Sequence, residues 1–223
     1  MRTLTKESRN KITPSGAIDI LKRGNERFVN NLKVNRNLLQ QVNETSEGQH
    51  PFAAILSCID SRTSAELIFD QGLGDIFSVR IAGNIQNPDI LGSIEFSCKV
   101  AGAKAVLVLG HTKCGAVKGA CDHVTMGNLT TLLEKLKPAV DGETSVTSDR
   151  NSNNTEFVEK VASLNVRITK KQILKNSPIL KEMIEQGEIV LAGGMYNVET
   201  GVVDFYDEEM VTLETIGKKE AVI

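Results

Sequence analysis

Phe52-Ala53-Ala54-Ile55-Leu56-Ser57-Cys58-Ile59-Asp60-Ser61-Arg62 is the stretch whose reading decides the fold. Its first five residues are apolar without alternation, the pattern of a strand covered on both faces of a parallel sheet. A thiol stands where that strand ends. A second run of the same kind, Ala105-Val106-Leu107-Val108-Leu109, ends in Gly110-His111-Thr112-Lys113-Cys114-Gly115. Two strand exits therefore carry Cys, then His and Cys, and parallel sheets gather their chemistry at the carboxyl ends of strands.

Around these runs the pattern alternates in type. Ser64 heads a short helical stretch over 64–69, and Ile76-Phe77-Ser78-Val79-Arg80-Ile81 is rich in strand-forming residues. Asn87-Pro88-Asp89 opens a helix that Gly102 closes, with Ile94, Cys98 and Ala101 along one side. Helices are expected over 115–124 and over 129–136, the latter ended by Pro138, and a polar loop over 141–154. Phe157, Val161, Leu164 and Ile168 mark a long helix over 155–175. Ser177-Pro178 opens another helix, stopped by Gly187. The chain then reads as a strand at 189–192 and a hairpin from 195–198 to 202–205. Such alternation predicts an α/β fold, with a mostly parallel central sheet flanked by helices. Ahead of the sheet, a helix opened by Pro14-Ser15 and a polar one over 38–43 form an N-terminal helical arm. It packs on the main body or reaches to a second subunit. The organisation is a single domain, an arm over 1–48 and an α/β core over 49–223.

The chain has 223 residues, 40% of them hydrophobic and 24% charged, with a formal net charge of −2. This is an ordinary globular composition with no basic footprint for nucleic acid or an anionic membrane. No apolar run approaches the length of a membrane span, and the start, Met1-Arg2-Thr3-Leu4-Thr5-Lys6-Glu7, lacks the apolar core of a secretory signal. A cytoplasmic location is expected. Four cysteines in a chain this size are not a disulfide framework.

Two thiolates and one imidazole suit zinc, a borderline-soft cation, and leave one position for water. Zinc lowers the pKa of such a water to about 7, supplying hydroxide at neutral pH. Asp60 and Arg62 follow Cys58 closely enough to pair. Asp60 is either a fourth ligand or an acceptor that orients the hydroxide while Arg62 holds it off the metal, and a plain salt bridge stiffening the turn is the bland alternative. Cys98 and Cys121 read as core thiols, His50 and His123 as surface or satisfied residues, and Lys113, Lys118 and the Lys170-Lys171 pair as a solvated face.

Cys58-x-Asp60-Ser61-Arg62 and His111-x-x-Cys114-Gly115, with Glu66-Leu67-Ile68-Phe69-Asp70, Val79-Arg80-Ile81-Ala82-Gly83-Asn84 and Gly92-Ser93-Ile94-Glu95-Phe96 between them, resemble the β-class carbonic anhydrases. The likeness is close over 49–120 and looser at Tyr196-Asn197-Val198-Glu199-Thr200-Gly201. It implies one zinc per subunit on Cys58, His111 and Cys114, an Asp60-Arg62 dyad governing the fourth position, and reversible hydration of carbon dioxide to bicarbonate and a proton. It also implies a homodimer or dimer of dimers in which Phe77 and Phe96 line a neighbour's pocket. Gln49 and Ala82 would contact substrate, and Gly115 would offer its N–H to the developing oxyanion.

Two residues depart from the family's pattern. Ile59 replaces the usual Ser, read as a packing change, and Phe96 stands where plant-like members often carry Tyr. No Trp is present for the regulatory pocket of bicarbonate-inhibited members, so an open site is expected. Rival readings are a carbon disulfide or carbonyl sulfide hydrolase on the same scaffold, a non-catalytic zinc module with closed coordination, and a thiol redox protein. The last lacks C-x-x-C.

Overall fold

The computed structural model describes residues 3–212. Five strands, β1 (Ala53–Ser57), β2 (Ile76–Arg80), β3 (Ala105–His111), β4 (Val190–Tyr196) and β5 (Val203–Phe205), form one sheet in the order β2-β1-β3-β4-β5. The first four are parallel and β5 returns antiparallel to β4. The helices are α1 (Lys6–Asn10), α2 (Pro14–Val29), α3 (Leu38–Glu44), α4 (Ala65–Ile68), α5 (Pro88–Glu95), α6 (Gly115–Cys121), α7 (Gly127–Glu134), α8 (Lys137–Gly142), α9 (Thr155–Asn176) and α10 (Pro178–Glu185). The expected α/β architecture is therefore present.

Alternation along the strands divides the core in two. Ala53, Ile55, Ala105, Leu107, Leu109, Val190 and Ala192 face α2 and α4, whereas Leu56, Val106, Val108 and Leu191 face α5, α9 and α10. Every residue of β1 and β3 is buried, which is why neither alternates in the sequence. A third apolar cluster, built on α6, α8 and α9, lies beyond the strand exits and includes Cys58 and Cys114.

α2 belongs to this core. Ala17, Ile18 and Leu21 are at most 1% exposed, and burying a side chain of the Ile or Leu kind is worth about 1.5–3 kcal/mol. Gly24 permits the approach, since a Cβ there would lie 1.8 Å from Phe69 O. Asn25 then ties three segments together: its Nδ2 donates to Ile68 O (3.1 Å) and Gly201 O (2.8 Å), and its Oδ1 accepts from Val203 N (2.9 Å). α3 differs, with Leu38, Leu39 and Val42 exposed.

Four expectations need correction. Pro138 sits in the first turn of α8 and so opens a helix, because a ring without N–H is tolerated there; the expected single helix becomes α7 and α8. The strand at 189–192 and the first hairpin arm at 195–198 are one strand, β4, carried through Gly193-Gly194 by pairing with β3. Lys170 is 4% exposed, its Nζ donating to Glu209 O at 2.5 Å, while only Lys171 is solvated. Ile59 is 61% exposed and packs no core within this chain. α5 also runs on into a wider, π-type turn over Phe96–Val100, before Gly102 ends it at φ +83°.

Replacing Asn25 with Ala leaves two carbonyls and one N–H without partners, each buried orphan costing roughly 1–3 kcal/mol. N25A is expected to lose about 2–4 kcal/mol of stability overall. Urea denaturation checks this, with a lower midpoint and unchanged slope as the expected result.

Candidate metal centre

The parallel pairing of β1 and β3 sets Ser57 opposite Leu109, so the residues that follow in each chain emerge side by side. His111 is the last residue of β3, and Cys114 is the residue from which α6 starts. Cys58 Sγ, Cys114 Sγ and a ring nitrogen of His111 lie within 4.8 Å of one another, and all three residues are buried. Among the described residues, this is the one cluster of such groups with metal-ligand spacing.

The donor set fits a metal. His111 Nδ1 lies 2.8 Å from Thr112 O, and a carbonyl only accepts, so Nδ1 carries the proton. That leaves Nε2 a bare acceptor, and it is buried with no partner. An orphaned acceptor beside two thiols is costly in a folded core and is resolved by a cation. Between the thiols, a hydrogen bond from Cys114 draws Cys58 down, while the same hydrogen bond and burial push Cys114 up. The hydrogen bond between them therefore favours negative charge on Cys58 over Cys114.

The turn after Cys58 is braced from several sides. Arg80 Nε donates to Cys58 O (3.0 Å) and Arg80 Nη2 to Asp60 O (2.6 Å); the buried Thr63 hydroxyl lies within reach of the same two carbonyls. Gly83, at φ +70°, brings its N–H within 3.4 Å of Cys58 Sγ, and a Cβ there would meet Leu136 at 2.9 Å. Asn165 of α9 holds that glycine through Nδ2 to Gly83 O (2.8 Å). Sequence reading assigned no role to Arg80, Thr63 or Asn165. Arg80 and Gly83 lie inside a quoted motif, but nothing local announces their reach.

Asp60 and Arg62 form a bidentate pair, Nε to Oδ1 at 2.9 Å and Nη2 to Oδ2 at 2.7 Å, with Arg62 N adding 3.0 Å to Oδ1. Arg62 holds the Asp60 carboxyl well below the usual range. The carboxylate is therefore engaged with the guanidinium on both oxygens.

The remaining candidates divide. Ala82 occupies the turn just before Gly83, and Gly115, exposed, begins α6 with open space around it. Phe77 and Phe96 meet edge to face (6.2 Å between centroids) in an open groove of about 820 Å³ beside β2 and α5, and no member of the Cys-His-Cys cluster lines it. Gln49 is exposed ahead of β1, at the end of the strand away from Cys58. Within one chain these three are not brought to the cluster. Cys98 and Cys121 are buried, as expected of core thiols, and burial raises them to about 12 and about 11.

A mostly parallel α/β sheet with a buried Cys-His-Cys cluster at its strand exits defines a class of protein with a candidate metal site. The carbonic anhydrase family model matches residues 53–203. Carbonic anhydrase 2 of Mycobacterium tuberculosis is 35% identical, covering 84% of this chain and 90% of the relative. The carbonic anhydrase of Mycolicibacterium smegmatis is 31% identical over 86% of this chain and 92% of its own. Among solved structures, the β-carbonic anhydrase CafA of Aspergillus fumigatus superposes with a TM-score of 0.65 at 29% identity, covering 76% and 81% of the two chains. One of the tetrameric β-carbonic anhydrases of Sordaria macrospora gives 0.63 at 27% identity, covering 72% and 83%. The chain belongs to the β-class carbonic anhydrases, lyases that hydrate carbon dioxide.

The thiol pair makes a direct expectation. Metal-free protein should show thiolate absorbance in the ultraviolet at neutral pH, lost on acidification and absent at neutral pH in C58A, because the Cys58 thiol is lowered by its hydrogen bond with Cys114. Absorbance at two pH values, with and without chelator, measures it.

Proposed function

We propose that this chain catalyses reversible hydration of carbon dioxide to bicarbonate and a proton, with zinc held by Cys58, His111 and Cys114. The observation that carries the reading is the trio of donor atoms within 4.8 Å, with His111 Nε2 buried and unpartnered, in a chain of this family. Bound there, zinc would supply a Lewis acid with an open position, which makes water a nucleophile near neutral pH. Among the described residues, three donors rather than four support an open shell over a closed structural one.

The residues around the cluster divide the remaining work. Cys58 and Cys114 give two negative charges once both thiols are deprotonated. The Thr112 carbonyl holds the His111 ring in the tautomer that leaves Nε2 free. Asp60, turned toward Arg62 by three hydrogen bonds, stays ionised and accepts the O–H of the nucleophile, which fixes the lone pair that faces carbon dioxide. That pairing supports a site in which Asp60 does not close the fourth position. The Gly115 N–H, at the exposed start of α6, is assigned to meet charge developing on a substrate oxygen. Ala82, adjoining Gly83, is assigned to the pocket wall.

Gln49, Phe77 and Phe96 lie away from the cluster, so their part in binding substrate requires a second copy of the chain. The exposed Phe96 and the exposed apolar residues of α3 support a homodimer, or a dimer of dimers, in which they are covered. Four unbridged, buried cysteines support a reducing, cytoplasmic setting, and among the described residues no helix is long and apolar enough to cross a membrane.

C58S is expected to abolish zinc retention and hydration together, read by zinc analysis and stopped-flow assay; hydration that persists in metal-free protein overturns the reading. R62A should keep zinc yet lose about 10²-fold in kcat/KM, because the Asp60 carboxylate is no longer held in place.

A further inference from the structure

The loop that joins the two later candidate ligands, His111-Thr112-Lys113-Cys114, is held at Thr112 and Lys113. Thr112 N donates to Tyr196 O (2.9 Å), and Thr112 Oγ1 accepts from Val198 N (3.0 Å), which ties the loop to the end of β4. Lys113 adopts φ +56°, a left-handed conformation that a side chain other than Gly, Asn or Asp rarely takes, and one of order 1–3 kcal/mol in cost. Such a conformation persists only where its surroundings impose it. Two contacts hold Lys113: Glu159 Oε1 of α9 accepts from its backbone N at 2.8 Å, and Glu199 Oε1 accepts from its Nζ at 2.7 Å in an exposed ion pair. The other Glu159 oxygen, Oε2, is buried with no partner, so this carboxylate is spent on one backbone N–H.

α9 also reaches the other ligand segment. Asn165, six residues on from Glu159, holds Gly83 O, and the Gly83 N–H meets Cys58 Sγ. One helix thus anchors both halves of the donor set, which come from segments about fifty residues apart in the sequence. Neither anchor touches a donor atom of His111 or Cys114, so the effect passes through backbone geometry.

We infer that Glu159 is a positioning residue for the metal centre: by fixing Lys113 in its left-handed conformation it sets the spacing of His111 and Cys114, and with it the rate at which the metal is lost. The inference rests on the zinc reading above. What matters in it is the reach of the acceptor rather than the charge. Gln keeps an acceptor oxygen at the same distance without charge, whereas Asp keeps the charge and draws the oxygen back by one methylene.

The test uses full-length wild-type, E159Q and E159D proteins loaded with zinc. Zinc transfer to an excess of a chromogenic chelator is timed, and the thermal midpoint of each metal-free protein is recorded alongside. Removing a hydrogen-bond partner of a metal ligand typically costs about 10–100-fold in metal affinity, and that scale is taken for a contact acting one residue away. The expected result is E159D losing zinc at least tenfold faster than wild type, E159Q within about threefold of wild type, and the three metal-free midpoints close together. Equal rates for all three proteins overturn the inference, as does a fast E159Q, which would assign the effect to charge. A metal-free E159D midpoint that falls in step with its zinc loss also overturns it, by making Glu159 a general stability residue. Wild-type protein that takes up no zinc fails the zinc reading instead, and the two failures are distinguishable.

Discussion

The parallel pairing of β1 with β3 is the constraint on which the rest depends. Side-by-side pairing from Ala53 with Ala105 to Ser57 with Leu109 delivers both strand exits to the same edge of the sheet at the same height. Neither strand alone brings three donors together, and a hairpin would send the two exits to opposite edges. The parallel arrangement requires a long crossover between the strands, and that crossover contains β2, whose Arg80 returns to hold the Cys58 turn. Topology and site geometry have one cause here.

Around that pairing, the chain spends its polar side chains on holding backbone. Thr63, Arg80, Asn165 and Glu159 each reach a carbonyl or amide beside a candidate ligand, and Asn25 does the same between α2 and the last hairpin. Few of these contacts join two side chains. The stiffness of the centre is therefore distributed over the turn backbones, which suits a site whose donors must meet within a few ångströms before any ion is present.

The apolar runs 52–56 and 105–109 are legible in the sequence because strands buried on both faces leave no alternation to misread, and the periodic stretch of α9 is legible because it is long. The Cys-His-Cys set could be found from its place at strand exits and from the resemblance. What the sequence concealed has a common physical character. Pro138 was read as a stop where it is a start, since a ring without an N–H serves either role and only the chain that follows decides. Lys170 counted as surface because a lysine pair on a helix usually is, yet its ammonium is satisfied by a carbonyl, Glu209 O, some forty residues away. Glu159 and Asn165 look like the polar face of an amphipathic helix, and their partners lie 46 and 82 positions off in the chain. Gln49, Phe77 and Phe96 carry a likeness that one chain does not express spatially.

The register of β1 against β3 also bears on how the protein assembles. A slip of one residue moves Cys58 by about 3.3 Å along the sheet and turns it to the opposite face, so the thiols and the imidazole no longer meet. An ion that requires all three donors then adds its binding energy to the correct pairing and to no other. Metal uptake at this cluster would thereby act as a proofreader of strand alignment, rewarding the one arrangement in which two distant stretches of chain have been joined in step.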